Sequence, residues 1–194
     1  MSAIPAVPAR TKTPVLRGDD AFLAEPTIEE TPRHVAYRYT MAAIRLSLGW
    51  IFLWAFLDKM FGLGHETPAE GAWVNGGSPT AGFLGKATEG PFASFYQGIA
   101  GAGWANWLFM AALAGIGIAL VLGVAMRAAA AAGATLLVMM WTAVLPPANN
   151  PFMDDHLIYA LVVVVLALAG AGKTLGLGRT WEQIPLVARY GALK

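Results

Sequence analysis

The stretch NNPFMDDHLIY (149–159) places Asn149, Asn150, Asp154, Asp155, His156 and Tyr159 within one short segment. Two carboxylates beside a histidine can relay protons, because imidazole titrates near neutrality, and the same groups can ligate a divalent metal. No H-E-x-x-H or comparable ligand spacing accompanies them, so no metal is assigned. Asp155 also suits the N-cap of the apolar run that follows, where a carboxylate accepts from free backbone N–H groups. Capping uses one aspartate and leaves the other polar groups over. Tyr159, one turn further on, reads either as a site residue or as an interfacial belt tyrosine.

A second stretch, WVNGGSPTAGFL (73–84), sets an aromatic anchor beside a glycine-rich turn. Gly76 and Gly77 can adopt φ > 0 and present backbone N–H groups to an anion. Asn75 adds an amide, Ser78 a hydroxyl, and Trp73 can hold the loop at headgroup level. The expectation is a lid over the mouth of the molecule, with a passive glycine turn as its alternative.

Arg45 is the third candidate. It lies about two turns inside an apolar run, where an arginine costs roughly 2.5–3.5 kcal/mol. Facing the interior, it would bind an anion or polarise a carbonyl; snorkelling toward headgroups is the other reading. Lys59 and Asp58 close the same run. Adjacent residues diverge by about 100° on a helix, so they read as separate charges rather than as a pair.

The elements that must position these residues are membrane-like. The chain has 194 residues, 57% hydrophobic and 13% charged, with a mean hydropathy of +0.55. Soluble domains carry about 25% charged residues, roughly twice as many. Four segments suit spans: 39–61, 107–125, 128–145 and 156–172. A span takes about 20 residues, so the fourth is short. The fold class expected is an all-α, four-transmembrane-helix bundle. Gly115, Ala119 and Gly123 recur every four residues and 128–134 is all Ala or Gly, which suits close helix contact. Phe92, Phe95, Tyr96 and Ile99 at helical spacing after Pro91 predict a short interfacial helix in the long 62–105 connection.

Cations set the orientation. Arg10, Lys12, Arg17, Arg33, Arg38, Arg127, Lys173, Arg179, Arg189 and Lys194 flank the spans on one side, against Lys59 and Lys86 on the other. Both termini are therefore expected in the cytoplasm. The signature loops would then share the outer face. Residues 1–35 read as a flexible cytoplasmic tail, 36–174 as the membrane domain and 175–194 as a cytoplasmic C-terminal tail.

Several chemistries are excluded. There is no cysteine, hence no disulfide, thiolate metal site, covalent haem or persulfide-forming nucleophile in this chain. GAGKT (170–174) closes an apolar helix instead of opening one after a strand, and GIGIAL (115–120) lacks the third glycine of a dinucleotide fingerprint. A net charge of +1 gives no footprint for nucleic acid.

RLSLGWIFLWAFLDKMFGLG (45–64) resembles the first helix of the DoxX superfamily. WVNGGSPTAGFL, LPPANNPFMDDHLIY and LALAGAGKTLGLGRTWE resemble more specifically its DoxD branch, and the likeness covers about residues 36–182. It implies a membrane subunit of a redox system, associated with thiosulfate:quinone oxidoreductase and working beside a second, DoxA-type subunit. No covalently bound cofactor is implied, and quinone is the electron acceptor. Under this reading Arg45, Asp155 and His156 are catalytic candidates. Lys59, Trp73, Asn75, Gly76, Gly77, Ser78, Asn150 and Tyr159 are substrate-binding candidates. The opposing reading is a non-catalytic scaffold subunit of a respiratory or other redox complex. A bacterial inner-membrane location follows from either, with the lipid bilayer and a second protein subunit as partners.

Overall fold

The computed structural model describes residues 31–194; the expected tail lies outside the described residues for positions 1–30. Among the described residues the structure is helical, with no strand. Three helices are long and apolar enough to cross a membrane: α1 (Pro32–Phe61), α4 (Gly103–Leu122) and α5 (Met126–Ala143). Between α1 and α4 come two short helices, α2 (Ala81–Lys86) and α3 (Ala93–Ile99). After α5 come α6 (Asp155–Leu168), α7 (Gly178–Glu182) and α8 (Pro185–Arg189).

Helix α1 begins earlier than the sequence pattern suggests. Thr31 caps it, its side chain accepting from His34 N–H, and Pro32 at the first position has a φ already suited to the helix. Its 30 residues extend about 45 Å, longer than the roughly 30 Å of hydrocarbon. Residues 32–38 therefore form a polar extension that carries Arg33 and Arg38. Gly62 ends the helix in the left-handed region at φ 65°. A side chain there would collide with Pro68 and Ala69, so a glycine is also required for close approach.

The buried positions of α1 include Ala42, Arg45, Gly49 and Phe52, and those of α4 include Asn106, Met110, Leu113, Gly117 and Leu120. Alternating steps of three and four keep each set on one helix face. The two faces meet closely. A Cβ on Gly49 would lie 2.9 Å from Leu120, and one on Gly117 would lie 2.8 Å from the Leu53 backbone. Small residues thus bring the helices together, as the sequence predicts, but through Gly117. Gly115 faces open space instead. A helix apolar on every side does not reveal which small residues face inward.

Helix α5 turns back from α4 over Gly123 and packs along α6, where Ala129, Ala130, Gly133 and Leu137 meet Ala160 and Val163 in the core. The α4–α5 contact is thinner than the α1–α4 and α5–α6 contacts. Helix α6 stops at Leu168, short of the expected 172, and Gly170 at φ 61° turns the chain into a 3₁₀ turn at Ala171–Lys173. The C-terminal segment is folded against the bundle. Val187 is buried, the Arg127 N–H donates to the Lys194 main-chain oxygen at 2.8 Å, and the Trp181 indole donates to Leu193 O.

The predicted helix in the long connection forms as α3, preceded by a 3₁₀ turn at Gly90–Phe92. Tyr96 is its buried residue; its hydroxyl donates to Met139 O at 3.0 Å and lies 2.6 Å from Thr142 Oγ1. Gly90 is pressed against Leu145. The long connection and the 146–154 loop therefore share one end of the bundle. Arg127, Lys173 and Lys194 gather around a cavity at the other end.

Candidate functional site

Arg45 faces the interior, fully buried. Its Nη1 donates to the main-chain oxygens of Leu120 and Val121, and its Nη2 to Thr174 O at 3.3 Å and Leu175 O at 2.8 Å. Leu120 and Val121 lie in the last turn of α4, where carbonyls lack i+4 helical partners (Leu120 O also accepts from the Gly123 N–H of the cap) and the helix dipole favours a cation. The inward-facing reading is correct and snorkelling is not observed. The carbonyls, however, engage both terminal nitrogens, so Arg45 joins three chain segments instead of presenting a charge to a ligand.

Asp58 and Lys59 act separately, as expected. The buried Asp58 carboxylate accepts from the backbone N–H groups of His65, Glu66 and Thr67 at 2.9–3.3 Å and fixes the turn after α1. Lys59 pairs with Glu66 at 3.1 Å.

The glycine-rich stretch is built differently from the lid the sequence suggests. Gly76 N–H donates to Trp73 O and Gly77 N–H to Ala72 O. Both donors expected to hold an anion are therefore spent inside the turn. Gly76 does take a positive φ, 87°. Gly77 is needed because a Cβ would fall 2.0 Å from Gly71 O. Asn75 Nδ2 donates to Ala69 O at 2.7 Å. Trp73 stacks edge-on against Trp107 at 4.6 Å and packs on the core, which fixes the loop to α4. Ser78 donates to Asn106 Oδ1, an oxygen that also accepts from the Thr80 N–H and hydroxyl. Asn106 is the unforeseen hub of this network. Its only sequence signal is a lone amide between Trp104 and Trp107 at the start of an apolar helix.

The residues of 149–159 do come together. Asn149, Asp154, Asp155 and His156 line a cavity of about 240 Å³ with Val144, Pro147, Ala148 and Met153. Asp154, not Asp155, is the N-cap of α6, accepting from Leu157 N–H at 3.1 Å. Its second oxygen lies 2.7 Å from His156 Nδ1. With a proton on Nδ1 the carboxylate fixes that tautomer and leaves Nε2 as the exchangeable nitrogen. Asp155 is exposed in the first turn. Asn150 is structural: its side-chain oxygen accepts from Phe152 and Met153 N–H, both at 2.9 Å. Tyr159 packs against the core.

The three catalytic candidates therefore do not form one site. Arg45 binds near the C-terminal ends of α4 and α6, whereas Asp155 and His156 open α6. The 13 steps from Asp155 to Leu168 span about 20 Å at 1.5 Å each. No single small substrate touches both ends.

The chain matches no protein-family profile, no curated protein and no solved structure. A groove of about 530 Å³ lies between α4 and α5, closed at one end by α2 and α3. Phe83, Tyr96, Trp104, Leu108, Leu136 and Met139 are among its walls. The polar groups along it are engaged elsewhere: Thr80 with Asn106, Tyr96 with Met139, Thr135 with Ala131. What remains is a hydrocarbon-lined slot within the 300–1,000 Å³ of typical ligand sites. Ala143 lines it, and the next residue, Val144, lines the Asp154–His156 cavity. Sequence reading missed the groove because its walls come from four separate helices, and its two long ones, α4 and α5, are too uniformly apolar to mark the faces that line it.

Proposed function

We propose that this chain is a DoxX/DoxD-like integral membrane subunit of a redox system, and that its own task is to hold a quinone. The observation that carries this is the slot between α4 and α5. A prenylated ring needs a long apolar cleft reached from the bilayer, and both helices that wall the slot are long and apolar enough to span it. Quinone reduction consumes two electrons and two protons. The Asp154–His156 pair, in a cavity that Val144 just after α5 also lines, is suited to delivering a proton. The electrons, from thiosulfate or another small sulfur donor under the resemblance, need redox groups on a second subunit. The membrane arrangement belongs to the same proposal: α6 acts as a short fourth span, both termini lie in the cytoplasm of a bacterial inner membrane, and the loop end faces outward.

A second reading is favoured by one specific observation. Arg45, Asp58, Asn75, Asn150 and Asp154 are all hydrogen-bonded within the chain, which suits a non-catalytic scaffold subunit of a redox assembly. Purification in mild detergent, followed by quinone extraction and an inventory of bound chains, separates the two. Quinone retained by the isolated chain supports the first reading. A stoichiometric redox complex, with no quinone left on the chain once its partners are removed, supports the second.

A further inference from the structure

The end of the bundle opposite the loops has a site of its own. A cavity of about 180 Å³ lies where α4 turns into α5 and α6 runs out. Arg127, Lys173 and Lys194 are on its walls. Glu182 is the one side-chain carboxylate there and pairs with Lys173 at 2.8 Å. Arg127 Nη1 donates to Gly191 O at 3.0 Å, which ties the C-terminal segment to the start of α5. Trp181 lines the same cavity, in keeping with the preference of tryptophan for the headgroup level.

A second observation meets the first at Leu168. On α6, Ile158, Leu161, Val165 and Leu168 are exposed by 45%, 59%, 50% and 83%. At 100° per residue they fall within an arc of about 80°, an unbroken apolar stripe. It is about 15 Å long, half the roughly 30 Å of bilayer hydrocarbon. The stripe ends at Leu168, itself a wall of the cationic cavity. Three cationic side chains against one carboxylate leave net positive charge at the end of a leaflet-length apolar stripe, which matches the charge and shape of one molecule: an acidic headgroup with acyl chains below it.

We propose that this cavity and stripe together bind an anionic phospholipid, its phosphate among Arg127, Lys173 and Lys194 and an acyl chain along α6. This rests on the membrane reading of the chain but not on quinone binding, since the groove lies on the other side of α5. Basic pockets between membrane helices take acidic headgroups in this way.

The test uses the full chain in detergent and mass spectrometry of the intact protein, with phosphatidylglycerol and phosphatidylcholine of identical chains offered in equal amounts. The expected result is selective retention of phosphatidylglycerol. Retention should fall about fivefold for each of Lys173→Gln and Lys194→Gln, and persist in Lys173→Arg. Leu161→Asn should weaken phosphatidylglycerol retention. Lys194→Gln guards against misfolding as a trivial cause, because the Lys194 link to α5 runs through its main chain. Equal retention of the two lipids overturns the proposal. So does displacement of phosphatidylglycerol by millimolar inorganic phosphate with no effect of Leu161→Asn, which would assign the cavity to a soluble phosphate instead. Quinone content, measured on the same samples, reports separately on the groove.

Discussion

Arg45 Nη1 donates to Val121 O at 2.9 Å, linking the middle of α1 to the last turn of α4. The same guanidinium holds Thr174 and Leu175, so a single side chain ties three segments far apart in sequence. Inside a membrane such a cation is costly, and here main-chain oxygens engage both terminal nitrogens, leaving Nε as its one buried donor without a partner.

Replacing Arg45 with leucine should therefore cost stability before anything else. Hydrogen bonds to a charged group are worth about 1.5–3 kcal/mol each in soluble proteins and less in bilayers, so a loss of several kcal/mol is expected. Arg45→Lys should recover only part of it, because one ammonium cannot span both pairs of carbonyls. Thermal unfolding followed by size-exclusion fluorescence measures this. A leucine variant with an unchanged midpoint contradicts the clamp.

The glycine turn separates space from conformation. Gly77→Ala should disrupt the 71–77 turn outright, since its Cβ meets Gly71 O. Gly76→Ala meets open space and only a positive φ, a penalty of about 1 kcal/mol. Equal effects of the two on unfolding would show that the turn is not packed as described.

Asp154 and Asp155 should differ as sharply. Asp154→Ala removes the α6 cap and the partner of His156, costing about 0.5–2 kcal/mol, and should change the His156 ring tautomer seen by nitrogen NMR. Asp155→Ala should leave stability and that tautomer unchanged. If Asp155 is the sensitive one, the capping assignment is wrong.

The contrast with sequence reading lies in these same residues. The apolar runs, the inward Arg45 and the pairing of Asp154, Asp155 and His156 in one place were legible from composition and spacing. Arg45's partners were not, because they are backbone carbonyls from distant segments with no side-chain signature. Asp154 and Asp155 are both good caps, and only the register of α6 decides between them. Gly76 and Gly77 promised free N–H groups, yet which donors a turn leaves over depends on its three-dimensional closure.

The chain has no cysteine, so single cysteines report sidedness cleanly. Val74→Cys and Met153→Cys, at the loop end, should react with an impermeant maleimide in intact cells. Ala192→Cys, at the cationic end, should react only after lysis. The reverse pattern would invert the orientation.

The quinone slot makes the sharpest claim. Ala112 lines the groove, whereas its exposed neighbour Ala111 does not. Quinone extracted per mole of purified chain should be near stoichiometric in the unaltered protein. It should be lost in Ala112→Phe, which fills the slot, and kept in Ala111→Phe. Quinone content that is the same in all three proteins, or absent from the unaltered chain, would contradict the account.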